Sequence, residues 1–219
     1  MMQTAGESVE GVAISTLADG TGVMVLESGV AKPYIYLGLD LDGHARLIRY
    51  KLFGNARRMA TTKEQLDYDG VELDTWLSNT FITYLTHHVQ NALADTSLTY
   101  ACNNWAQNKT IQRKVFCVSM SETGQISGEG GKNFRSAFEA YTGVSGNKSL
   151  VAQNESGVAK PWWYCSQQNG SYYRVQYTDG TLNGWPATST TAVWVRPCLS
   201  VLASAIVTEQ SGVYTLWGV

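Results

Sequence analysis

Charge is scarce in this sequence: Asp, Glu, Lys and Arg together make up 16% of the 219 residues. That scarcity excludes highly charged disorder, coiled coils and long solvated helices. Neither sign dominates, since sixteen basic and eighteen acidic side chains leave a net charge of −2. The electrostatic footprint of a nucleic-acid partner is therefore missing. Long apolar runs are missing too. The longest, Val193 to Val207, is broken by Arg196, Pro197, Ser200 and Ser204, well short of the roughly 18 residues that suggest a membrane helix. The first residues, MMQTAGESVEGVAISTL, lack the basic and then apolar pattern of a secretory leader. Synthesis in a cytoplasm, with no membrane partner, is the expectation. Cys102, Cys117, Cys165 and Cys198 include no C-x-x-C pair, so they read as buried thiols in a reducing compartment. Four N-x-S/T sequons, at Asn108, Asn147, Asn154 and Asn169, then read as chance matches.

What is present is apolar and aromatic material, 44% and 11% of the chain, with twenty-one Gly, twelve Tyr and seven Trp. This composition suits strands, loops and one sizeable core. Val12 to Leu17, Val23 to Leu26, Tyr34 to Leu39 and Arg46 to Tyr50 read as strands, with Asp19-Gly20 and Asp42-Gly43 as hairpin turns. The middle reads as helical. Leu73, Trp76 and Leu77 start an apolar stripe that Phe81, Ile82, Leu85 and Val89 continue, and Phe134, Ala137, Phe138 and Tyr141 form another. Thr62 and Gln65 have capping-box spacing, and Val115 to Val118 reads as a short buried strand. Strands return at Trp162 to Ser166, Tyr172 to Tyr177, Ala192 to Val195, Leu199 to Val207 and Val213 to Trp217. With strands at both ends and helices between them, the terminal strands are expected to pair. No linker-like run divides the chain, so residues 1–219 are read as one domain.

Motifs for chemistry are few. His87 and His88 are adjacent, which on a helix points them about 100° apart, and no third metal ligand is placed nearby. Ser119-Met120-Ser121-Glu122 lacks a nucleophile elbow and reads as a turn or helix entry. No P-loop, dinucleotide fingerprint or H-E-x-x-H occurs. The sequence gives no support for an enzyme, and no metal or cofactor is expected. One heptapeptide occurs twice, Glu27 to Pro33 and Glu155 to Pro161. Either each copy is a glycine turn entering a strand, or one partner contacts both loops. Trp76, Trp162, Trp163 and Trp194 read as core. Gln167, Gln168, Asn169, Tyr172 and Arg174 mix amides, Tyr and Arg, as recognition surfaces do. Alternation along a strand would equally place Tyr172, Arg174 and Gln176 on one face and Tyr173, Val175 and Tyr177 on the other.

Several of these segments resemble one family. Pro161-Trp162-Trp163-Tyr164-Cys165-Ser166 is similar to the W-W-L-R-S signature of the DUF6273 family, and Val195-Arg196-Pro197-Cys198-Leu199 to its V-R-P-A-L element. Thr178-Asp179-Gly180 resembles its strand-ending Asp-Gly. Leu73 to Phe81 resembles its W-L-N helix, and Lys114 to Glu122 its K-V-F-L-L-S-x-x-E. Gly29 to Leu37 and Arg46 to Arg49 resemble the variant found in phage structural genes. Tyr164-Cys165 and Cys198 depart from the pattern, as a paired substitution if the two cysteines lie on neighbouring strands.

The resemblance implies an α+β, C-type-lectin-like fold: twisted antiparallel sheet, two main helices and a loop-rich ligand face. It further implies a virion protein of a bacteriophage, a decoration or fibre component of head or tail. Its partners would be other virion proteins and a host-surface glycan or protein, and it would be oligomeric in the particle. A purely architectural protein is the alternative, and a formylglycine-generating type of enzyme a remote one. The calcium-dependent sugar signatures of true C-type lectins are absent. The implied contact residues are Gln167, Gln168, Asn169, Tyr172 and Arg174, in the interval that varies among lectin-like variable proteins.

Overall fold

A computed structural model describes residues 11–65, 67–102, 106–126, 128–169 and 171–218. The main sheet starts from two hairpins. Strand β2 (Gly22–Glu27) buries Val23, Val25 and Glu27 on one face. It turns through Ser28 and Gly29, both at positive φ (47° and 78°), into β3 (Val30–Leu39). Two consecutive positive-φ residues give the turn twist that two antiparallel strands require. The Asp42-Gly43 turn leads on to β4 (Ala45–Arg49), buried along its whole length. Burial on both faces places β4 and the second half of β3, from Tyr34 on, at the centre of the molecule.

The order of the eight-stranded sheet is β1-β14-β15-β2-β3-β4-β13-β7, with β1 at Gly11–Ala13, β7 at Val115–Phe116, β13 at Cys198–Val201, β14 at Ile206–Gln210 and β15 at Val213–Gly218. The two ends of the chain do meet: β1 pairs with β14, and β15 runs parallel to β2. Smaller sheets are the hairpin β5–β6 (Thr96–Cys102, Gln107–Arg113), the pair β8–β9 (Ala152–Gln153, Ala159–Lys160), and a three-stranded sheet of β10 (Trp162–Asn169), β11 (Tyr172–Gln176) and β12 (Leu182–Pro186).

The expected α+β class with two main helices is not what is observed. Strand takes 41% and helix 17%, the large sheet is mixed rather than antiparallel, and three short helices occur among the described residues. These are α1 (Glu72–Asn79), α2 (His87–Ala92) and α3 (Arg135–Thr142). Tertiary pairing overrides the apolar stripe after Asn79. Phe81–Tyr84 narrows to a 3-10 turn, and the chain then extends so that Leu85 bridges Glu27 and Ser28 N–H reaches the Tyr84 carbonyl at 2.6 Å. Backbone groups at the end of β2 would otherwise lack partners.

Smaller corrections follow the same logic. Of the first expected strand, Val12 to Leu17, only Val12 and Ala13 lie in a strand, β1, and Ile14–Thr16 is 3-10. Asp19-Gly20 closes no hairpin; Gly20 lies under α3, where a Cβ would come within 2.7 Å of Ala140. Thr62 and Gln65 join in a turn, not a helix. Residues 192–195 make isolated bridges rather than a strand. Expectations for residues 1–10 lie outside the described residues.

Candidate functional site

The motif residues build interior. Trp162 and Trp163 are fully buried, and their indole N–H groups donate to the carbonyls of Leu150 (3.0 Å) and Arg57 (2.7 Å). β10 lies against the V-R-P segment, with Trp163 N–H on the Trp194 carbonyl (3.1 Å) and Trp194 N–H on the Pro161 carbonyl (2.8 Å). Arg196 is fully buried with its guanidinium 5.3 Å from the ring centres of both Trp162 and Phe138. It donates to the carbonyls of Arg49 and Leu150, and burial lowers its pKa to about 10. Ring faces and carbonyl dipoles hold this cation. Trp76 and Trp194 are only half-buried, Trp76 lying beneath the Arg57 guanidinium at 3.8 Å.

Ser119 and Glu122 form a reciprocal turn. Ser119 N–H donates to Glu122 Oε2 (2.9 Å) and Glu122 N–H to Ser119 Oγ (3.3 Å). Arg46 closes the carboxylate from the other side, 3.3 Å from Glu122 and 3.2 Å from Asp40. Glu129 accepts from the N–H groups of Ser121 (3.1 Å) and Ala101 (3.3 Å). Burial raises the pKa of both glutamates, against the opposing pull of Arg46 on Glu122. Both carboxylates are spent on holding loops and lie beneath the surface.

The five expected contact residues divide. Asn169 and Tyr172 are exposed and pair across the β10–β11 hairpin. Arg174 follows Tyr172 on the same outward face, half-buried; burial lowers its pKa and the nearby Glu129 opposes the shift. Gln168 is half-buried over β12, and its Oε1 takes the space where a Cβ at Gly184 would stand, 1.5 Å away. A side chain at Gly184 would displace the Gln168 amide from this position. Gln167 differs from the others: it is fully buried and paired with buried Tyr173, so it does not share the exposed surface of Asn169 and Tyr172. Gln176 is likewise buried, accepting from Tyr164 Oη (2.8 Å) and Gln125 (2.7 Å).

Cys165 and Cys198 lie in different sheets, so they are not on neighbouring strands. All four cysteines are free and buried, and burial raises each thiol, Cys117 to about 12. His87 and His88 are exposed on α2. Asp40, Asp42 and His44 bring ligand-type atoms within 4.8 Å of one another. Asp40, however, already accepts from the N–H groups of Asp42 and His44 (2.9 Å each), from Thr96 Oγ1 (2.7 Å), and faces Arg46. Those contacts close the β3–β4 loop.

Two surface features were not anticipated. A cleft of about 350 Å³ runs between α1 and β6, where Arg113 grips Asp74 (2.7 Å) and Asp69 (2.6 Å). The second joins the repeated heptapeptides. Buried Arg49 donates from Nε to Glu27 Oε1 (2.8 Å) and from Nη2 to Glu155 Oε1 (2.6 Å), so the first residue of each copy meets the same guanidinium. The copies fold differently. Glu27 ends a strand before the Ser28-Gly29 turn, whereas Glu155 sits inside a longer turn closed by Asn154 N–H on the Val158 carbonyl (2.9 Å). Pro33 falls within β3 and Pro161 just ahead of β10. The duplication was visible in the sequence; its common counter-ion was not.

Fold and surface together define a β-rich domain whose Trp162, Trp163 and Arg196 are buried and whose β10–β11 hairpin exposes Asn169 and Tyr172. The chain belongs to the DUF6273 family, a domain of unknown function, whose family model matches residues 42–203. No curated protein and no solved structure matches it. Strands β1, β2, β3, β14 and β15 lie outside the matched residues, so the flanks supply five of the eight strands in the main sheet.

Proposed function

We propose that this chain is a non-enzymatic structural protein of a bacteriophage virion, a decoration or fibre component of head or tail. In this reading it is made in the host cytoplasm and oligomerises in the particle. The outward face of β10–β12 then binds a host-surface glycan or protein. The observation that carries the binding part is the row Asn169, Tyr172, Arg174 and Gln168 over Gly184, with Tyr172 42% exposed at its centre. A large ring left in water beside amides and a guanidinium offers flat contact area and directional bonding. The virion part rests on the likeness of Gly29 to Leu37 and Arg46 to Arg49 to phage structural genes. Buried thiols with raised pKa argue against a cysteine-based enzyme, because the thiolate is the reactive form.

A second reading, a purely architectural subunit, is favoured by a different observation. Ile206 and Trp217, exposed at 38% and 51%, lie toward the open end of the β14–β15 hairpin, where they would offer apolar contact to a neighbouring subunit. The purified protein should be tested on glycan arrays and on intact bacterial cells. Saturable binding to either supports the attachment reading. Binding to neither, with incorporation into particles retained, would favour the architectural one.

A further inference from the structure

The cleft at Arg49 has the parts of an anion site with its own occupant in place. It has a volume of about 290 Å³, and its walls include Lys32, Arg49, Phe53, Tyr84 and Glu155. Four of the five guanidinium N–H groups of Arg49 are committed inward: to Glu27 Oε1 and Oε2 (2.8 and 3.2 Å) and to the carbonyls of Lys51 and Leu52 (2.8 and 3.0 Å). Those partners fix the group and leave one Nη2 donor facing the cleft. Glu155 takes it, and the same Oε1 lies 3.3 Å from Lys32 Nζ. The Glu155 side chain is 46% exposed and rides on the β8–β9 turn, between two-residue strands. Arg49 is buried, but the Glu155 carboxylate keeps about half its surface in water, so water can take its place when it leaves the guanidinium. Beside it, Phe53 and Tyr84 pack at 5.3 Å between ring centres and form an aromatic wall.

We propose that this cleft binds an acidic saccharide. The sugar carboxylate replaces that of Glu155 at Arg49 Nη2 and Lys32 Nζ, and the sugar ring lies against Tyr84. Aromatic faces suit the C–H surfaces of a pyranose, and a fixed guanidinium fork suits a carboxylate. The site is separate from the β10–β12 face, so it can fail without touching the function proposed above.

The test is a titration of the full chain with glucuronate, followed by heteronuclear NMR, with glucose and acetate as companion ligands. Glucuronate is expected to bind saturably, shifting resonances of Lys32 and Tyr84, and to bind more tightly than either companion. Removing the internal competitor by Glu155→Gln should tighten glucuronate binding up to about fivefold, and Lys32→Ala should weaken it by a similar factor. Equal binding of acetate and glucuronate would show an adventitious anion contact and overturn the proposal. So would the absence of saturation in both the wild type and Glu155→Gln, or affinity unchanged by Lys32→Ala in a folded variant.

Discussion

At the scale of single residues, the large buried side chains are anchored by specific polar contacts. Trp163 illustrates this, since its ring fills core and its indole N–H holds the Arg57 carbonyl. Trp163→Ala is expected to cost roughly 3–5 kcal/mol, read as a shifted midpoint in chemical denaturation; an unchanged midpoint would remove Trp163 from the core. Glu27 is a different case. Its carboxylate is almost fully buried, accepts from Tyr34 Oη at 2.7 Å, and neutralises Arg49. Glu27→Gln leaves a buried guanidinium leaning on a half-exposed glutamate, and breaking such a pair costs about 3–5 kcal/mol. A loss well below 1 kcal/mol in the same assay would mean that Glu155 alone suffices as counter-ion.

At the scale of elements, local pattern and tertiary pairing contend. β2, β3, β4, β10, β11 and β15 were legible because alternation or buried runs coincide with glycine and proline punctuation. The continuation of α1 was not. Its apolar stripe runs on through Leu85 and Val89, but the end of β2 draws Leu85 out as an extended bridge. The β5–β6 hairpin escaped notice because β6, Gln107–Arg113, is polar and mostly open to solvent. Of the candidate face, Tyr172 and Arg174 were readable by alternation. The burial of Gln167 was not readable, because the β10–β11 pairing carries register shifts on both sides of it.

The β8–β9 turn also has an acid-sensitive contact. Arg49 and Lys32 lower the pKa of Glu155 below the usual 4.5 despite partial burial. A lowered folded-state value gives stability that is present above the unfolded pKa and lost as pH falls through the folded one. Glu155→Gln should therefore lose less stability than the wild type as pH falls below the usual carboxylate value of 4.5. Parallel acid-unfolding curves for the two proteins would contradict the contact.

At the scale of the whole molecule, the family segment and its flanks share one sheet. β3, from the N-terminal flank, pairs with β4 at the start of the matched region, and β1 and β2 meet the C-terminal hairpin. The interior they enclose holds every thiol. A disulfide-exchange reagent at neutral pH should leave the native protein unmodified and titrate four cysteines after denaturation; fast reaction of Cys165 or Cys198 in the native state would reopen the question of cysteine chemistry. With the motif residues spent on that interior, the proposed function assigns recognition to the outward face of β10–β12. The direct measurement is binding to bacterial cells or immobilised glycan by the double variant Asn169→Ala, Tyr172→Ala. Both residues are exposed, so thermal stability should stay within about 0.5 kcal/mol of the wild type while binding falls at least tenfold. Undiminished binding by the folded double variant would contradict the account.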